Sequence, residues 1–256
     1  MDVYVAGVLW VAGAAAAGAV IGYLVRRFGK ESEGRQDNNA AAGQVFTIVA
    51  GLYAVLVAFV LISLFDAVGS AGDSAYTEAD ALVAANWATD ALPADTKAKV
   101  HGLAVAYVNT VKQQEWPRMI NGEAVPETGW TQLNQMRQAV LAADTGSDSF
   151  LADRKTEATN QLWALYQARQ TRLTTAGDGG MGGVVWFLLV FGGLITAGLL
   201  PNLFGGTRLW AHTLIMATLA GTIALLLFAI YQLQSPFGGG AMVPPDAFTS
   251  ALERLG

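Results

Sequence analysis

Four long apolar segments alternate with more polar stretches along the chain. They occupy residues 3–25, 45–65, 184–204 and 211–233. About 20 predominantly apolar residues are enough for an α-helix to cross a hydrocarbon core about 30 Å thick. The pattern therefore predicts four transmembrane helices.

Positively charged residues follow the first span and occupy the tight loop before the fourth. They are Arg26, Arg27, Lys30 and Arg35 after span one, and Arg208 between spans three and four. Because short loops rich in Lys and Arg stay in the cytoplasm, both termini of this multi-pass protein are expected on the extracytoplasmic side of the membrane. A signal peptide carries its charges before the apolar run, so we interpret the first segment as a span.

The long middle segment has the pattern of helices, without strand-like alternation. Turn residues such as Pro93 and Gly146 separate four predicted helices over residues 73–92, 95–120, 131–143 and 150–175. Gly69 and Gly72 are each tolerable inside a helix. We therefore expect span two to continue without a break into the first of these helices.

The resulting prediction is an all-α fold with an extramembrane helical domain inserted between spans two and three. Residues 1–69 hold spans one and two with a short cytoplasmic loop, and residues 70–178 form the extracytoplasmic helical domain. Residues 179–234 hold spans three and four, and residues 235–256 form an extracytoplasmic C-terminal tail.

Span two and its extension carry a pattern with a spacing that alternates between four and three residues, which is one seam of a helix. The inner half of this seam is bulky and apolar. The outer half alternates hydroxyls with carboxylates that recur every seven residues, a rise of about 10.5 Å. The seam consists of Leu52, Leu56, Phe59, Ser63, Asp66, Ser70, Asp73, Thr77 and Asp80.

This seam predicts a pore if several copies pack it around an axis. Asp66, Asp73 and Asp80 would then form stacked acidic rings, each preceded, one turn earlier, by a hydroxyl residue, namely Ser63, Ser70 and Thr77. The apolar residues at 52, 56 and 59 would form a constriction, and channels use both devices for ion selection and gating. The alternative is a solvated acidic face on which only Asp66 is close enough to the span for its burial to be costly.

Composition narrows the function classes further. Hydrophobic residues make up 53% and charged residues 14% of the chain, and the net charge of -5 offers no basic surface for nucleic acid. The sequence contains no cysteine and two histidines, His101 and His212, in segments of very different polarity, which argues against a zinc enzyme or a histidine-based triad. The motifs singled out above supply no set of nucleophile, base and oxyanion stabiliser. We expect neither enzymatic activity nor a cofactor. Whether the chain binds a metal ion is left open, because calcium prefers carboxylate oxygen.

Several short motifs resemble the bacterial bestrophin-like family of unknown function, a group of four-span membrane proteins. Glu78-Ala79 and Leu92-Pro93 follow span two, and Pro236-Phe237-Gly238 follows span four. The most specific element is a Glu-Trp-Pro segment with an upstream tyrosine. The signature residues are Tyr107, Glu115, Trp116, Pro117, Met119, Arg169, Arg172, Pro236 and Phe237. Positions 107, 111, 115 and 119 share one helical face, while Trp116 and Pro117 lie near the helix end. We therefore predict that Tyr107, Trp116 and Met119 anchor the core of the outer domain.

The resemblance implies a multi-pass protein of a bacterial cell membrane. It also implies kinship to bestrophins, which are pentameric anion channels, and hence a homo-oligomer in the lipid bilayer that conducts inorganic ions. The acidic seam instead favours cations, because stacked carboxylates repel anions. Three hypotheses follow: a cation channel lined by span two, with calcium as one candidate ion; a bestrophin-like anion channel; and a non-transporting membrane protein whose outer domain binds a partner.

Overall fold

The computed structural model describes residues 2–28, 39–177, 180–203, 208–240 and 242–256. All regular structure in these ranges is helical, which confirms the all-α prediction. The elements are α1 (Val3–Phe28), α2 (Asn39–Ala88), α3 (Ala94–Thr110), a π-helical turn (Val111–Glu115), α4 (Trp116–Ile120), α5 (Thr128–Ala142), α6 (Ser149–Gly177), α7 (Gly183–Gly193), a second π-helical segment (Leu194–Leu199), a 3₁₀ turn (Leu200–Leu203), α8 (Leu209–Leu233) and α9 (Asp246–Leu255).

Within the described ranges, four helical segments are long and apolar enough to cross a membrane. They are α1, α2, the run Gly183–Asn202 and α8. This confirms the four predicted spans. Helix α2 is continuous over 50 residues and includes Gly69 and Gly72, because isolated glycines lower helix propensity without ending a helix that is supported by packing.

The chain divides into two compact units. The membrane unit comprises Met1–Phe65 and Gly180–Gln234, and the helical unit comprises Asp66–Gly179 and Ser235–Gly256. The C-terminal residues, expected to form a tail, therefore belong to the helical unit. The reason is α9, an amphipathic helix whose Ala247, Phe248, Ala251 and Leu255 are buried, the spacing of one helical face.

In the membrane unit, α1 packs closely against α8 through two glycines four residues apart. A Cβ atom at Gly18 would lie 2.7 Å from the Met216 carbonyl oxygen, and one at Gly22 would lie 2.8 Å from the Met216 side chain. Small residues at this spacing let helix backbones approach closely in lipid. The Gly-x-x-x-Gly pair thus serves packing within one subunit.

A π-helical turn precedes α4, and its position follows from Pro117. Proline has no N–H to donate and its ring clashes with the carbonyl four residues earlier in a regular helix. Here the Trp116 N–H donates to the Val111 carbonyl, one residue further back than in an α-helix. Residues spaced by four rotate by about 40° per step around an α-helix. The wider turn reduces this rotation and keeps Tyr107, Glu115 and Met119 on one buried face.

Candidate ion pathway and the buried ionic cluster

The seam of α2 is accessible along its whole length in the single chain. Eight of its nine residues are exposed and Leu56 is half-buried. The large apolar side chains at two inner positions, Leu52 and Phe59, are 68% and 69% exposed. The residues predicted to line a pore therefore share a free surface of α2.

The orientation of the seam is fixed by the residues beside it. Tyr53, Val57, Leu64, Ala71 and Glu78 are all buried, and each directly follows a seam residue. One residue corresponds to a rotation of about 100° in an α-helix. The buried face thus holds α2 against the rest of the chain and turns the seam away from it.

The three carboxylates of the seam differ in their partners. In the part of the chain that the structure describes, Asp66 and Asp73 take part in no ion pair, whereas Asp80 accepts a hydrogen bond from Nη1 of Arg254 at 2.7 Å. The exposed Thr77 hydroxyl donates to the Asp73 carbonyl oxygen of the same helix at 2.8 Å. Sequence reasoning missed Arg254 because it lies 174 residues beyond Asp80.

Directly behind the polar half of the seam lies a buried ionic cluster, formed by Glu78, Tyr107, Glu115, Arg169 and Arg172. All five side chains are fully buried in the helical unit. Two carboxylates face two guanidinium groups, so their formal charges cancel. This balance is what makes burial of four charged groups tolerable, because a buried charge without a partner is strongly destabilising.

The cluster contains two bidentate contacts between a guanidinium group and a carboxylate. Arg172 donates to Glu78 at 2.6 and 3.0 Å and to Glu115 at 2.9 Å. Arg169 donates to both oxygens of Glu115, at 2.7 and 3.0 Å, and to the Tyr107 hydroxyl oxygen at 3.1 Å. The Tyr107 hydroxyl in turn donates to Glu78 at 2.5 Å. Planar guanidinium groups suit such bidentate contacts, which fix orientation as well as charge.

The protonation states follow from these contacts. Burial opposes the ionisation of Glu115, but the hydrogen bonds and charges of Arg169 and Arg172 outweigh it and hold the pKa of this carboxyl below its usual value. Burial, together with the charge of Glu78, raises the pKa of Tyr107 well above its usual value. At neutral pH the Glu115 carboxyl is therefore ionised and the Tyr107 phenol is neutral.

An aromatic shell encloses the cluster. The Trp116 ring packs edge-on against Phe237 and Phe248, with centroids 5.3 and 5.8 Å apart, and its Nε1 donates to the Val243 carbonyl at 3.2 Å. The guanidinium of Arg172 lies 5.7 Å from the Trp116 ring centroid and donates to the Met119 sulfur. Such packing excludes water and strengthens the ionic contacts inside.

Helix α5 packs closely against the buried ionic cluster. A Cβ atom at Gly129 would collide with the Arg169 guanidinium and a Glu115 carboxylate oxygen. On the outer side, Trp130 covers Arg169, whose guanidinium lies 4.6 Å from the ring centroid. No sequence motif singled out Gly129, because its constraint comes from a neighbouring helix.

Seven of the nine signature residues meet at this cluster. Pro117 is exposed at the start of α4, where it accounts for the π-helical turn, and Pro236 is buried, with its carbonyl accepting from the Val243 N–H at 2.9 Å. Glu78, quoted only as part of a motif, is central. A charged residue on the otherwise apolar face that carries Ala71, Ala75 and Leu82 was the signal that could have identified it.

The described part of a single chain offers no candidate metal site. Among the described residues, no group of three or more His, Asp or Glu side chains is arranged to hold a metal ion. Neighbouring acidic seam residues lie seven residues, or about two helical turns, apart on α2, so they could share an ion only with other copies of the chain.

Four spans, an exposed polar seam and a helical unit closed around a buried ionic cluster define an all-helical integral membrane protein. A family model described as a bestrophin-like domain matches residues 12–248. The chain therefore belongs to the bestrophin-like family, which is known for ion channels rather than enzymes. A search of curated proteins found no match.

Two crystal structures share the fold. One is a point mutant of a bacterial bestrophin homologue from Klebsiella pneumoniae, with a TM-score of 0.71 and 14% sequence identity over 100% of this chain and 98% of that chain. The other is a variant of a membrane protein, with a TM-score of 0.69 and 14% identity over 99% of this chain and 97% of that chain. At this identity the likeness establishes the fold alone.

Proposed function

We propose that this protein is the subunit of a homo-oligomeric ion channel whose pore is lined by α2 and favours cations. The observation that carries the proposal is the exposed seam of α2, where hydroxyl and carboxylate side chains continue an apolar run on one face. Polar side chains next to a membrane span are costly against lipid. Contact with the same face of other copies around a water-filled axis avoids this cost.

The period of the seam supports association of several copies. Nine positions from Leu52 to Asp80 follow a spacing of 3.5 residues, whereas an α-helix has 3.6 residues per turn. The seam consequently drifts by about 20° per heptad on a straight helix. Copies of α2 that keep the seam toward a common axis would wind around one another with a left-handed twist, and a pentamer is one arrangement of this kind.

The preference for cations rests on the charges of the seam. Asp66 and Asp73 have no cationic partner among the described residues, so each copy brings two uncompensated carboxylates to the axis. Rings of carboxylates attract cations and repel anions. Hard divalent cations, calcium among them, bind carboxylate oxygen well. An anion channel, the alternative suggested by kinship to bestrophins, would require these charges to lie away from the axis.

A groove in the helical unit favours the non-transporting alternative. It lies between α5 and α6, has a volume of about 600 Å³ and is lined by Trp130, Arg137, Asn160, Trp163 and Tyr166 among others. The Trp163 and Tyr166 rings stack with centroids 5.1 Å apart, and Trp163 is 60% exposed. Aromatic residues and arginine are enriched in protein interfaces, so this surface suits a binding partner.

Ion flux into liposomes tests the proposal. Purified protein, reconstituted in vesicles with an imposed salt gradient, is expected to carry cations faster than anions, and its mass in detergent should correspond to several subunits. A monomer without flux of either ion would contradict the channel and favour the partner-binding alternative. Faster anion flux would support the bestrophin-like anion channel instead.

Orientation is tested separately by labelling introduced cysteines in whole cells. The natural chain has no cysteine, so every signal comes from the new residue. Positions near Gly122 and Gly239 should react with an impermeant reagent, whereas Gly34, which lies outside the described residues, should not. Reaction at Gly34 from outside would invert the proposed topology.

A further inference from the structure

The outermost carboxylate of the α2 seam is paired with the C-terminal helix. Nη1 of Arg254 lies 2.7 Å from Oδ1 of Asp80, and the two side chains are 50% and 60% exposed. Both residues belong to the helical unit. A positive charge thus lies beside the last position of a surface that otherwise carries only hydroxyls and carboxylates in its polar half.

Helix α9 holds Arg254 at this position. Phe248 is fully buried and packs against Trp116, and the Arg172 guanidinium lies 5.5 Å from its ring centroid. Leu255, next to Arg254, is buried as well. The backbone around Arg254 is therefore anchored on both sides along α9, and the ion pair with Asp80 is a defined feature of the fold.

From this geometry we propose that Arg254 is a second determinant of ion selectivity, a built-in countercharge that neutralises Asp80 at the end of the α2 seam. The proposal rests on the proposed function, in which the seam lines a pore. The sequence alone gives three carboxylates per copy along the seam, whereas the structure leaves two uncompensated, Asp66 and Asp73, and converts the third into a neutral pair.

The proposal predicts the direction in which each variant shifts the reversal potential. Arg254→Gln leaves Asp80 uncompensated and should shift the reversal potential in a salt gradient toward greater cation preference. Asp80→Asn leaves the guanidinium uncompensated and should shift it in the opposite direction. The double variant restores a neutral pair of side chains and should return to the wild-type value. A purely structural role for the pair would move both single variants in the same direction.

Ionic strength separates this effect from changes in structure. The Debye length is about 30 Å at 0.01 M salt and about 8 Å at 0.15 M, so the shifts should be largest in dilute salt and small near 0.15 M. Exposed ion pairs contribute little to folding, so the variants should fold like the wild type. Lys97→Gln is the matched control, because Lys97 and Asp90 form a similarly exposed pair at 2.9 Å beyond the end of α2.

The outcomes distinguish the role of Arg254 as a countercharge from the existence of the α2 pore. Opposite shifts for the single variants, reversal in the double variant and no shift for Lys97→Gln would support the role of Arg254. If Arg254→Gln left the reversal potential unchanged in dilute salt while Asp66→Asn altered it, the countercharge would be overturned and the α2 pore would stand. If the wild-type protein carried no ions, the proposed function and this inference would both be overturned.

Discussion

Arg172 donates from Nε and Nη2 to the two carboxylate oxygens of Glu78, at 2.6 and 3.0 Å, and neither side chain is exposed. The two residues lie on α6 and α2, and 94 positions separate them in sequence. Because Glu78 directly follows the seam residue Thr77, the pair fixes the rotation of α2 about its axis. The buried ionic cluster thus determines which face of α2 is left free.

Removal of one member of this pair should destabilise the helical unit strongly. Arg172→Met leaves Glu78 buried without its main partner, at a cost of about 3–5 kcal/mol, and should lower the melting temperature of the purified protein in detergent. The double variant Glu78→Gln/Arg172→Met restores the charge balance and should melt above the single variant. Arg137→Met, at an exposed position, is the control. Equal melting temperatures for Arg172→Met and Arg137→Met would contradict a stabilising role for the buried pair.

Acid should weaken the same cluster through Glu115. Because the folded protein holds the pKa of Glu115 below its usual value of 4.5, the associated stabilisation is present above that value and is lost as pH falls through the lower, folded-state pKa. Wild-type protein should therefore lose thermal stability between about pH 4.5 and more acidic values.

A variant identifies Glu115 as a source of this acid sensitivity. Glu115→Gln cannot gain the proton and should show a shallower decline of melting temperature with acid, from a lower starting value at neutral pH. The exposed Glu123→Gln should decline as the wild type does. Parallel curves for Glu115→Gln and wild type would show that other carboxyl groups account for the loss.

Trp116 should be the most sensitive aromatic position of the helical unit. The side chain is 2% exposed and contacts Phe237 and Phe248, so Trp116→Ala should cost about 3–5 kcal/mol. Trp163→Ala is the matched control, since that ring is 60% exposed. Thermal unfolding followed by circular dichroism gives the melting temperatures of both variants. An unchanged melting temperature for Trp116→Ala would contradict a stabilising role of this side chain in the core.

The sequence predicts the spans and the core of the helical unit because both depend on local patterns. Span length follows from a run of apolar residues, and the buried positions Tyr107 and Met119 follow from helical spacing. The pairing of Glu78 with Arg172, or of Asp80 with Arg254, depends on how separate helices pack. No spacing in the sequence encodes which distant charge will be the partner, so those contacts required the structure.

Helix α9 illustrates a second limit. The sequence after span four contains Pro236, a run of three glycines and two adjacent prolines, which is typical of a loop. The helix that follows has only 10 residues and would be marginal alone, because short helices are stable only through packing. The packing comes from Phe248, which is buried against Trp116. Because the local sequence pattern does not reveal this contact, the sequence predicts a tail instead of a packed helix.

Close packing of α1 and α8 gives a prediction for the membrane unit. Gly18→Ala should lower the melting temperature in detergent, because its Cβ would lie 2.7 Å from both the Met216 carbonyl oxygen and the Ala220 Cβ. Gly13→Ala, on the same helix with open space around it, should leave stability unchanged or improve it slightly. Equal effects of the two substitutions would argue against contact between these helices.

Asp66 should have the largest influence on ion preference among the seam carboxylates. It is the carboxylate nearest the apolar part of α2, one residue after Phe65, and Phe59 lies two turns before it on the same seam. Charges next to the hydrocarbon region are screened least by water and salt. Asp80 lies 14 residues further along, about 21 Å on a continuous helix, and is compensated by Arg254.

Reconstituted protein in a salt gradient near 0.15 M tests this ranking. Asp66→Asn should reduce cation over anion permeability, whereas Asp80→Asn should alter it little at this ionic strength. Phe59→Ala should raise basal flux, because a smaller side chain widens the apolar constriction and makes it easier to hydrate. Robust wild-type flux with a reversal potential that Asp66→Asn leaves untouched would rule out selection by acidic rings, and an α2 pore would then need a different source of selectivity.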